Sequence, residues 1–338
     1  MKKYRIGIVG ATGAVGQEII KLMEKRDFPA SEIRLLASAK SAGREVEALG
    51  NVEKIEETTP DSFKELDIAI FSAGSNQSLD FAEHARRQGC VVIDNSSAFR
   101  MDQDVPLVIP EINEDALSDH RGIIANPNCS TAITLMGLYP LHKRFGLKIF
   151  FASTYQAVSG AGKASVDELF QQTEDYLKNK KITSKNFSKQ IAFNLIPHID
   201  SFGKDGYTKE ELKMTNETKK ILDQNIELSA TCVRVPVLVS HSEAVNLELE
   251  KEFTIDQIKE CLEKMEGCKV IDERKDGGYS TPLEATGKDE TFISRIREDK
   301  TKKNCLNMWI VSDNLLRGAA LNAVEIAETL IKKNFYGK

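Results

Sequence analysis

The chain has 338 residues, 41% hydrophobic and 29% charged, enough to bury the cores of two ordinary domains without disulfides or metal staples. Its formal charge is −5, from 46 basic and 51 acidic side chains, and no dense Lys/Arg stripe with interleaved aromatics suggests a nucleic-acid surface. No apolar run approaches the roughly 18 residues of a membrane span, and Met1-Lys2-Lys3 leads straight into a strand-like run with no cleavage signal, so a soluble, cytoplasmic chain is expected.

The short basic run at 178–181 (KNKK) reads as solvated surface. The cysteines Cys90, Cys129, Cys232, Cys261, Cys268 and Cys305 form no CxxC pair, so no zinc site is expected. In a reducing compartment they stay thiols, each a small core residue or a reactive group.

In chain order, residues 4–9 (YRIGIV) form a short apolar strand, and 18–24 set Ile19, Ile20, Leu22 and Met23 on one face of a helix. Further short strands are predicted at 33–37, 68–71, 91–94, 107–109 and 123–125, with a helix over 79–87. Strand, helix, strand in repetition implies a mostly parallel sheet covered on both faces. After residue 127 the rhythm changes. A long helix is predicted at 131–145, then longer strands at 148–155, 230–237, 244–250 and 305–312, with a helix at 255–265. That predicts an α+β domain with a more antiparallel sheet. Residues 178–220 read as polar and irregular, with a helix from 209 to 222. A strong terminal helix over 315–332 is expected to return to the first domain.

Gly10-Ala11-Thr12-Gly13-Ala14-Val15-Gly16 follows the first strand and opens the first helix. Gly10 permits the tight turn, Gly13 lets the backbone approach a pyrophosphate, and Gly16 lets helix and strand pack closely. The helix N-terminus then offers N–H groups to the anion. This is the pattern of a Rossmann-type domain, with GxxGxxG spacing. No carboxylate follows the second strand where NAD-binding domains usually carry one. Ser38, Lys40, Ser41 and Arg44 stand there instead and suit an adenosine 2′-phosphate, so NADP is the expected cofactor.

Asn126-Pro127-Asn128-Cys129-Ser130-Thr131 joins a strand to the long helix. The positive end of that helix favours thiolate at Cys129, and thiolate is the form that makes thioesters. Asn128 is placed to offer an amide N–H to a developing oxyanion. The competing reading is a capped helix with a half-buried thiol. Of the five histidines, His84 and His142 fall on helical faces and His120 in a polar turn, leaving His198 and His241 as acid/base candidates. Arg234 and His241 stand seven residues apart, at the two ends of a strand and its exit.

Taken together, GATGAVG, SSAFR at 96–100, NPNCST at 126–131, TYQAVSGAG at 154–162 and CVRVPVLVSHSEAV at 232–245 resemble the aspartate-β-semialdehyde dehydrogenases over nearly the whole chain. The ASAKSAG stretch resembles the form typical of Gram-positive bacteria. The resemblance implies NADPH-dependent reduction of L-aspartyl 4-phosphate to L-aspartate 4-semialdehyde, in the aspartate pathway to lysine, diaminopimelate, methionine and threonine. It implies Cys129 as nucleophile, His241 as general acid/base, Gln156 orienting the substrate and Arg234 gripping its α-carboxylate. Arg100 and Lys213 match the phosphate-binding cations. Glu210 matches the acid near the substrate ammonium, with Glu211 as the alternative if the register slips by one. Ser159, Gly160 and Asn314 match residues that contact the nicotinamide half of the cofactor.

The implied architecture is an NADP-binding domain over 1–127, completed by a helix from 315–338, with a catalytic and dimerisation domain over 128–314. The implied assembly is a homodimer through the second domain, or a tetramer. The rival readings are an N-acetyl-γ-glutamyl-phosphate reductase and a non-catalytic NADP-binding regulator. The first takes a substrate without a free ammonium, which leaves Glu210 or Glu211 unexplained. The second needs no Cys129, His241 and Arg234 together.

Overall fold

Short apolar runs, too short to be helices, become the centre of a parallel sheet in the computed structural model, which describes residues 2–335. The chain folds as two units: residues up to Asn128 with those from Ala319 onward, and Cys129–Gly318.

In the first unit β1 (Tyr4–Val9) leads into α1 (Ala14–Lys25), which buries Ile19, Ile20, Leu22 and Met23. Next come β2 (Ala30–Ala37), β3 (Glu45–Ala48), β4 (Asn51–Lys54) and β5 (Glu56–Glu57). Then β6 (Ile68–Phe71), α2 (Ser75–Arg87), β7 (Val91–Asp94), α3 (Pro110–Asn113) and β8 (Ile123–Ala125) follow. Six strands pair in parallel in the order β5-β2-β1-β6-β7-β8. The order reverses between β1 and β6, so the loop after β1 opens where doubly wound sheets bind ligands.

Two features depart from expectation. Residues 107–109 form only a single parallel bridge, Leu107 to Ala125. Pro106 has no N–H to give a ladder and Pro110 starts a helix, so the run is cut at both ends. The β3–β4 hairpin was not predicted, because its strands are largely exposed and lack apolar alternation. Its turn rests on positive φ at Leu49 and Gly50 (51° and 76°), a two-residue hairpin loop with only one glycine to announce it.

The second unit begins with α4 (Cys129–Phe145), buried along most of its length. It continues through β9 (Leu147–Gln156), α5 (Lys163–Leu177), α6 (Lys209–Ile221), β10 (Glu227–Arg234), β11 (His241–Leu249) and α7 (Ile255–Glu263). It closes with β12 (Cys268–Val270), α8 (Pro282–Ala285), β13 (Thr291–Glu298) and β14 (Cys305–Ser312). The sheet order is β10-β9-β11-β14-β13-β12, with β10 and β12 parallel to their neighbours and the three central pairings antiparallel. α4 lies on the face formed by β9, β11 and β14, over a core that includes Ile133, Leu138, Phe150, Val245, Leu247, Met308 and Ile310.

The strand predicted over 230–237 ends at Arg234, because Pro236 cannot donate to a ladder and the chain leaves for another sheet position. α5 escaped prediction because its buried residues Ser165, Glu168, Leu169 and Gln172 are mostly polar and draw no apolar stripe. β13 was missed because Arg295 (φ 56°) and a register shift between Ser294 and Arg297 interrupt its alternation.

The chain then re-enters the first unit. Residues Leu316–Ala320 are wound as a π-helix, and the α-helix begins only at α9 (Leu321–Lys333). α9 packs on α1, α3 and β7. Arg26 holds it from the side, donating Nε to Glu328 at 2.8 Å and Nη2 at 2.6 Å, a bidentate pair.

Candidate active site

In the second unit, strand register alone brings three of the predicted side chains into line. Arg234 is opposite Gln156 across β10 and β9. The β9–β11 register, Ser242 opposite Tyr155, puts His241 beside Gln156. Arg234 and His241 are thus not neighbours on one strand: β9 lies between them and carries Gln156 into the gap. All three are buried. Positive φ at Ser240 (77°) ends the crossing that returns the chain to the sheet at His241.

The backbone of Ala157, next after Gln156, fixes both flanking groups. Its N–H donates to His241 Nδ1 at 3.0 Å, and its carbonyl accepts from Arg234 Nη1 at 2.7 Å. With Nδ1 accepting, the neutral ring carries its proton on Nε2. Burial, reinforced by the Arg234 charge and only partly opposed by Glu210, pulls His241 down to about 3. Its Nε2 has no protein partner. A Cβ built on Gly160 would stand 3.2 Å from that nitrogen and 3.0 Å from Arg234 Nη1, so glycine keeps the space above the row open.

Gln156 is oriented from both ends. Thr154 Oγ1 donates to its Oε1 at 2.9 Å, and its Nε2 donates to Glu210 Oε1 at 3.1 Å. Glu210 Oε2 accepts from Lys213 Nζ at 3.0 Å, and Asp200 accepts from the same ammonium at 2.8 Å. Burial works against charge on Lys213, but the Glu210 and Asp200 carboxylates outweigh it and raise the ammonium above its usual value. Glu211 belongs to a different task. Its carboxylate accepts from the N–H of Thr208 (2.7 Å) and of Cys232 (3.2 Å), completing the capping box of α6. Glu211 is thus engaged in the cap, while Glu210 reaches Gln156.

Cys129 opens α4, half-buried, within electrostatic reach of Arg234. Burial lowers the Arg234 guanidinium from its ordinary value, while Glu210 and Cys129 act to raise it. Gly318 passes so close that a Cβ there would come within 2.7 Å of Cys129 Cβ, and it does so inside the π-helical stretch. Such π-turns are often found at functional sites. Ser159 and Asn314 are near one another: Ser159 Oγ is 3.1 Å from Asn314 Oδ1, which also accepts from the Ser240 N–H at 2.9 Å.

In the first unit, Gly10 has φ 89°, and a Cβ there would lie 2.9 Å from the Ser72 backbone. At Gly16 a Cβ would lie 2.3 Å from the Gly10 carbonyl oxygen. Thr12, Gly13 and Ala14 are exposed at the start of α1, with Val15 half-buried behind them. Ser38, Lys40 and Arg44 are exposed beyond the end of β2, and Ser41 is half-buried. The cradle therefore fits a dinucleotide pyrophosphate, and the turn fits an extra phosphate. β5 adds something the sequence did not announce: Glu56 and Glu57 pair alongside Leu36 and Ala37. Arg100 is buried, donating Nε to the Asn126 carbonyl and Nη2 to the Asn95 carbonyl, each at 2.8 Å. Asn126 is itself held by Asn95 and Asn322. His198 stacks on Phe202 and stands outside the row.

Sequence reasoning missed Ala157, whose backbone role has no side-chain signature, and Asp200, which lies 13 residues from its partner Lys213. It also passed over Glu243, although a carboxylate at an inward position of an alternating strand was a visible signal.

A nucleotide cradle in the first unit and, in the second, a cysteine at a helix start with an Arg–Gln–His row define the class as a nicotinamide-dependent dehydrogenase. The semialdehyde dehydrogenase NAD-binding domain family matches residues 5–120, and the semialdehyde dehydrogenase dimerisation domain family matches 138–317. The chain is 48% identical to the aspartate-semialdehyde dehydrogenase of Aquifex aeolicus, covering 98% of each chain. It superimposes with a TM-score of 0.96 on aspartate semialdehyde dehydrogenase II of Vibrio cholerae complexed with ASA, at 42% identity over 98% of this chain and 99% of that one. The Candida albicans aspartate semialdehyde dehydrogenase solved with NADP gives 0.77 at 25% identity, over 99% and 100%. The chain belongs to the aspartate-semialdehyde dehydrogenase family.

Proposed function

We propose that this chain reduces L-aspartyl 4-phosphate to L-aspartate 4-semialdehyde with release of phosphate, using NADPH. The single observation that carries the residue assignment is the row Arg234–Gln156–His241, with Cys129 in electrostatic reach of it.

The Cys129 thiolate attacks the acyl carbonyl and phosphate departs, leaving a thioester. Bound NADPH supplies the hydride that reduces it. The hemithioacetal oxyanion accepts a hydrogen bond from His241 Nε2–H, with Asn128 as a further donor. Collapse of that intermediate expels the Cys129 thiolate and frees the aldehyde. His241 moves the proton at the substrate oxygen, giving it and taking it back through Nε2. Gln156, locked between Thr154 and Glu210, orients the acyl group. Arg234 takes the α-carboxylate as a planar two-point pair, and Glu210 takes the ammonium. Arg100 and Lys213 hold the phosphate.

The Gly10–Gly13–Gly16 cradle, with Thr12, Ala14 and Val15, holds the pyrophosphate. Ser38, Lys40, Ser41 and Arg44 hold the 2′-phosphate, and Ser159, Gly160 and Asn314 serve the nicotinamide end. Among the described residues no helix is long and apolar enough to cross a membrane, and a cytoplasmic location is our reading. We also read the chain as a homodimer through its second unit, in keeping with the dimerisation family that matches there. The domains are read as 1–127 with 315–338, and 128–314.

The test is direct. Folded, reduced protein is given aspartate semialdehyde, phosphate and NADP⁺, and reduced nicotinamide is followed by absorbance. Turnover is expected, and its absence sinks the reading. Cys129→Ala should abolish turnover while NADP binding stays within a few fold. Substantial residual turnover would exclude covalent catalysis at that residue. Lys40→Ala with Arg44→Ala should weaken NADP by roughly ten-fold or more and NAD far less, because only the 2′-phosphate uses those cations. An equal loss for both cofactors removes the assignment, and the Glu56–Glu57 pair beside β2 makes this comparison the decisive one.

A further inference from the structure

Beneath the row of reactive groups lies a second polar row. Two residues from the row along each strand, Cys232, Thr154 and Glu243 stand side by side on β10, β9 and β11. Thr154 already has a task, since its hydroxyl holds Gln156. Glu243 shares the inward face of β11 with His241 and is fully buried. Its neighbours above are hydroxyls of the helix that starts at Cys129. Thr134 donates to Glu243 Oε2, and the Ser130 hydroxyl lies near enough to act on the carboxyl, while among the described residues Glu243 Oε1 has no hydrogen-bond partner. Among the described residues no cation forms an ion pair with it. The other titratable groups on this face are Cys232 in the same row and His241, Arg234 and Glu210 around the row above.

We propose that Glu243 is a positioning residue: as a neutral carboxylic acid it ties the first turns of α4 to β11 and so holds Cys129 in register with His241. This rests on the reading of Cys129 as the nucleophile. The chemistry favours an acid over either alternative. A protonated carboxyl both donates and accepts, so it can serve two hydroxyls at once. An apolar side chain would leave those hydroxyls without it, and buried polar groups are costly when unpaired. A carboxylate would place a second negative charge under the helix end that favours the Cys129 thiolate. Burial pushes the Glu243 carboxyl up to about 8, with the Thr134 and Ser130 hydroxyls pulling the other way, so the acid is mostly protonated near neutral pH.

Two variants and two spectra test this. Glu243→Leu should lower kcat by about ten- to a hundred-fold with KM and NADP affinity within a few fold, because the nucleophile is misplaced rather than the substrate unbound. Glu243→Gln, which keeps a neutral donor and acceptor, should restore most of that loss. The Cys129 thiolate, read by ultraviolet absorbance against pH with Cys129→Ala subtracted, should titrate alike in the parent and Glu243→Gln below about pH 7, where the Glu243 carboxyl is still protonated. The infrared spectrum of the parent should hold a protonated-carboxyl band that Glu243→Gln lacks. Undiminished kcat in Glu243→Leu, a kcat in Glu243→Gln as low as in Glu243→Leu, a thiolate that titrates lower in Glu243→Gln within that pH range, or no such band would each overturn the proposal. If Glu243→Leu does not fold, kcat of Glu243→Gln against the parent and the two spectra still decide. Both spectra are read without turnover, so failure of the functional reading, seen as an inactive parent, is told apart from failure here.

Discussion

At the scale of single residues, Ala157 shows how little side chain a site can need. The backbone of one residue accepts from the Arg234 guanidinium and donates to the His241 ring, so two strands that do not touch are registered through the end of a third. The consequence for His241 can be measured. Its folded value, about 3, is below the ordinary 6.5, so between those values the unfolded chain binds a proton that the folded chain refuses. Stability from this group is present above pH 6.5 and lost as pH falls toward 3. Compared with His241→Asn, the parent should lose up to about 1.4 kcal/mol per pH unit on acidification below 6.5, read from urea midpoints at matched pH. Parallel pH profiles for the two proteins would refute it. Glu243 has the opposite sign, its stability present below 4.5 and lost as pH rises through about 8, and it cancels in the comparison because both proteins keep it. Gly160→Ala should lower kcat/KM by about ten-fold or more by crowding Nε2 and Arg234. Unchanged kinetics would show that the space is not used.

At the scale of elements, two helices set the site from opposite ends. α4 contributes its N-terminus, where Cys129 meets the positive end of the backbone dipoles. α6 contributes its first two turns, and two adjacent glutamates there divide the labour. Glu211 caps the helix and catches the β10 backbone, while Glu210 reaches Gln156. Glu211→Ala should therefore cost stability of about 1–3 kcal/mol, since a buried cap and a Cys232 N–H both lose their acceptor. Glu210→Ala should instead act on catalysis, raising KM for the aspartyl substrate. Urea midpoints and initial rates on both variants check the division, and interchanged phenotypes would reverse it.

At the scale of the whole molecule, the last helix completes the first unit rather than the second. α9 buries Leu321, Ala323, Val324, Ile326, Ala327 and Leu330, and each large apolar side chain removed from water contributes about 1.5–3 kcal/mol. Deleting the chain from Leu321 should expose the nucleotide unit's core. NADP binding should be lost and a hydrophobic dye should bind; retained NADP affinity would show that this unit stands without α9.

Several features were legible before any coordinates, because they depend on local rules. The parallel strands at 4–9, 68–71, 91–94 and 123–125 are short apolar runs between turn signals, and a run of that kind has few other fates. The glycine loop declares itself because Gly10 and Gly16 hold places where a Cβ would collide with backbone. Cys129 was marked by standing before a long helix. Tertiary structure alone decided the rest. Strand order put Gln156 between Arg234 and His241, an adjacency set by hydrogen-bonded register between segments far apart in the chain. It turned Glu211 into the cap and Glu210 toward Gln156, because one residue along a helix turns a side chain by 100° and only packing says which direction faces the sheet. It also buried Glu243 beneath the helix of Cys129. No sequence rule gives the neighbours of a carboxylate inside a core, and those neighbours set its proton.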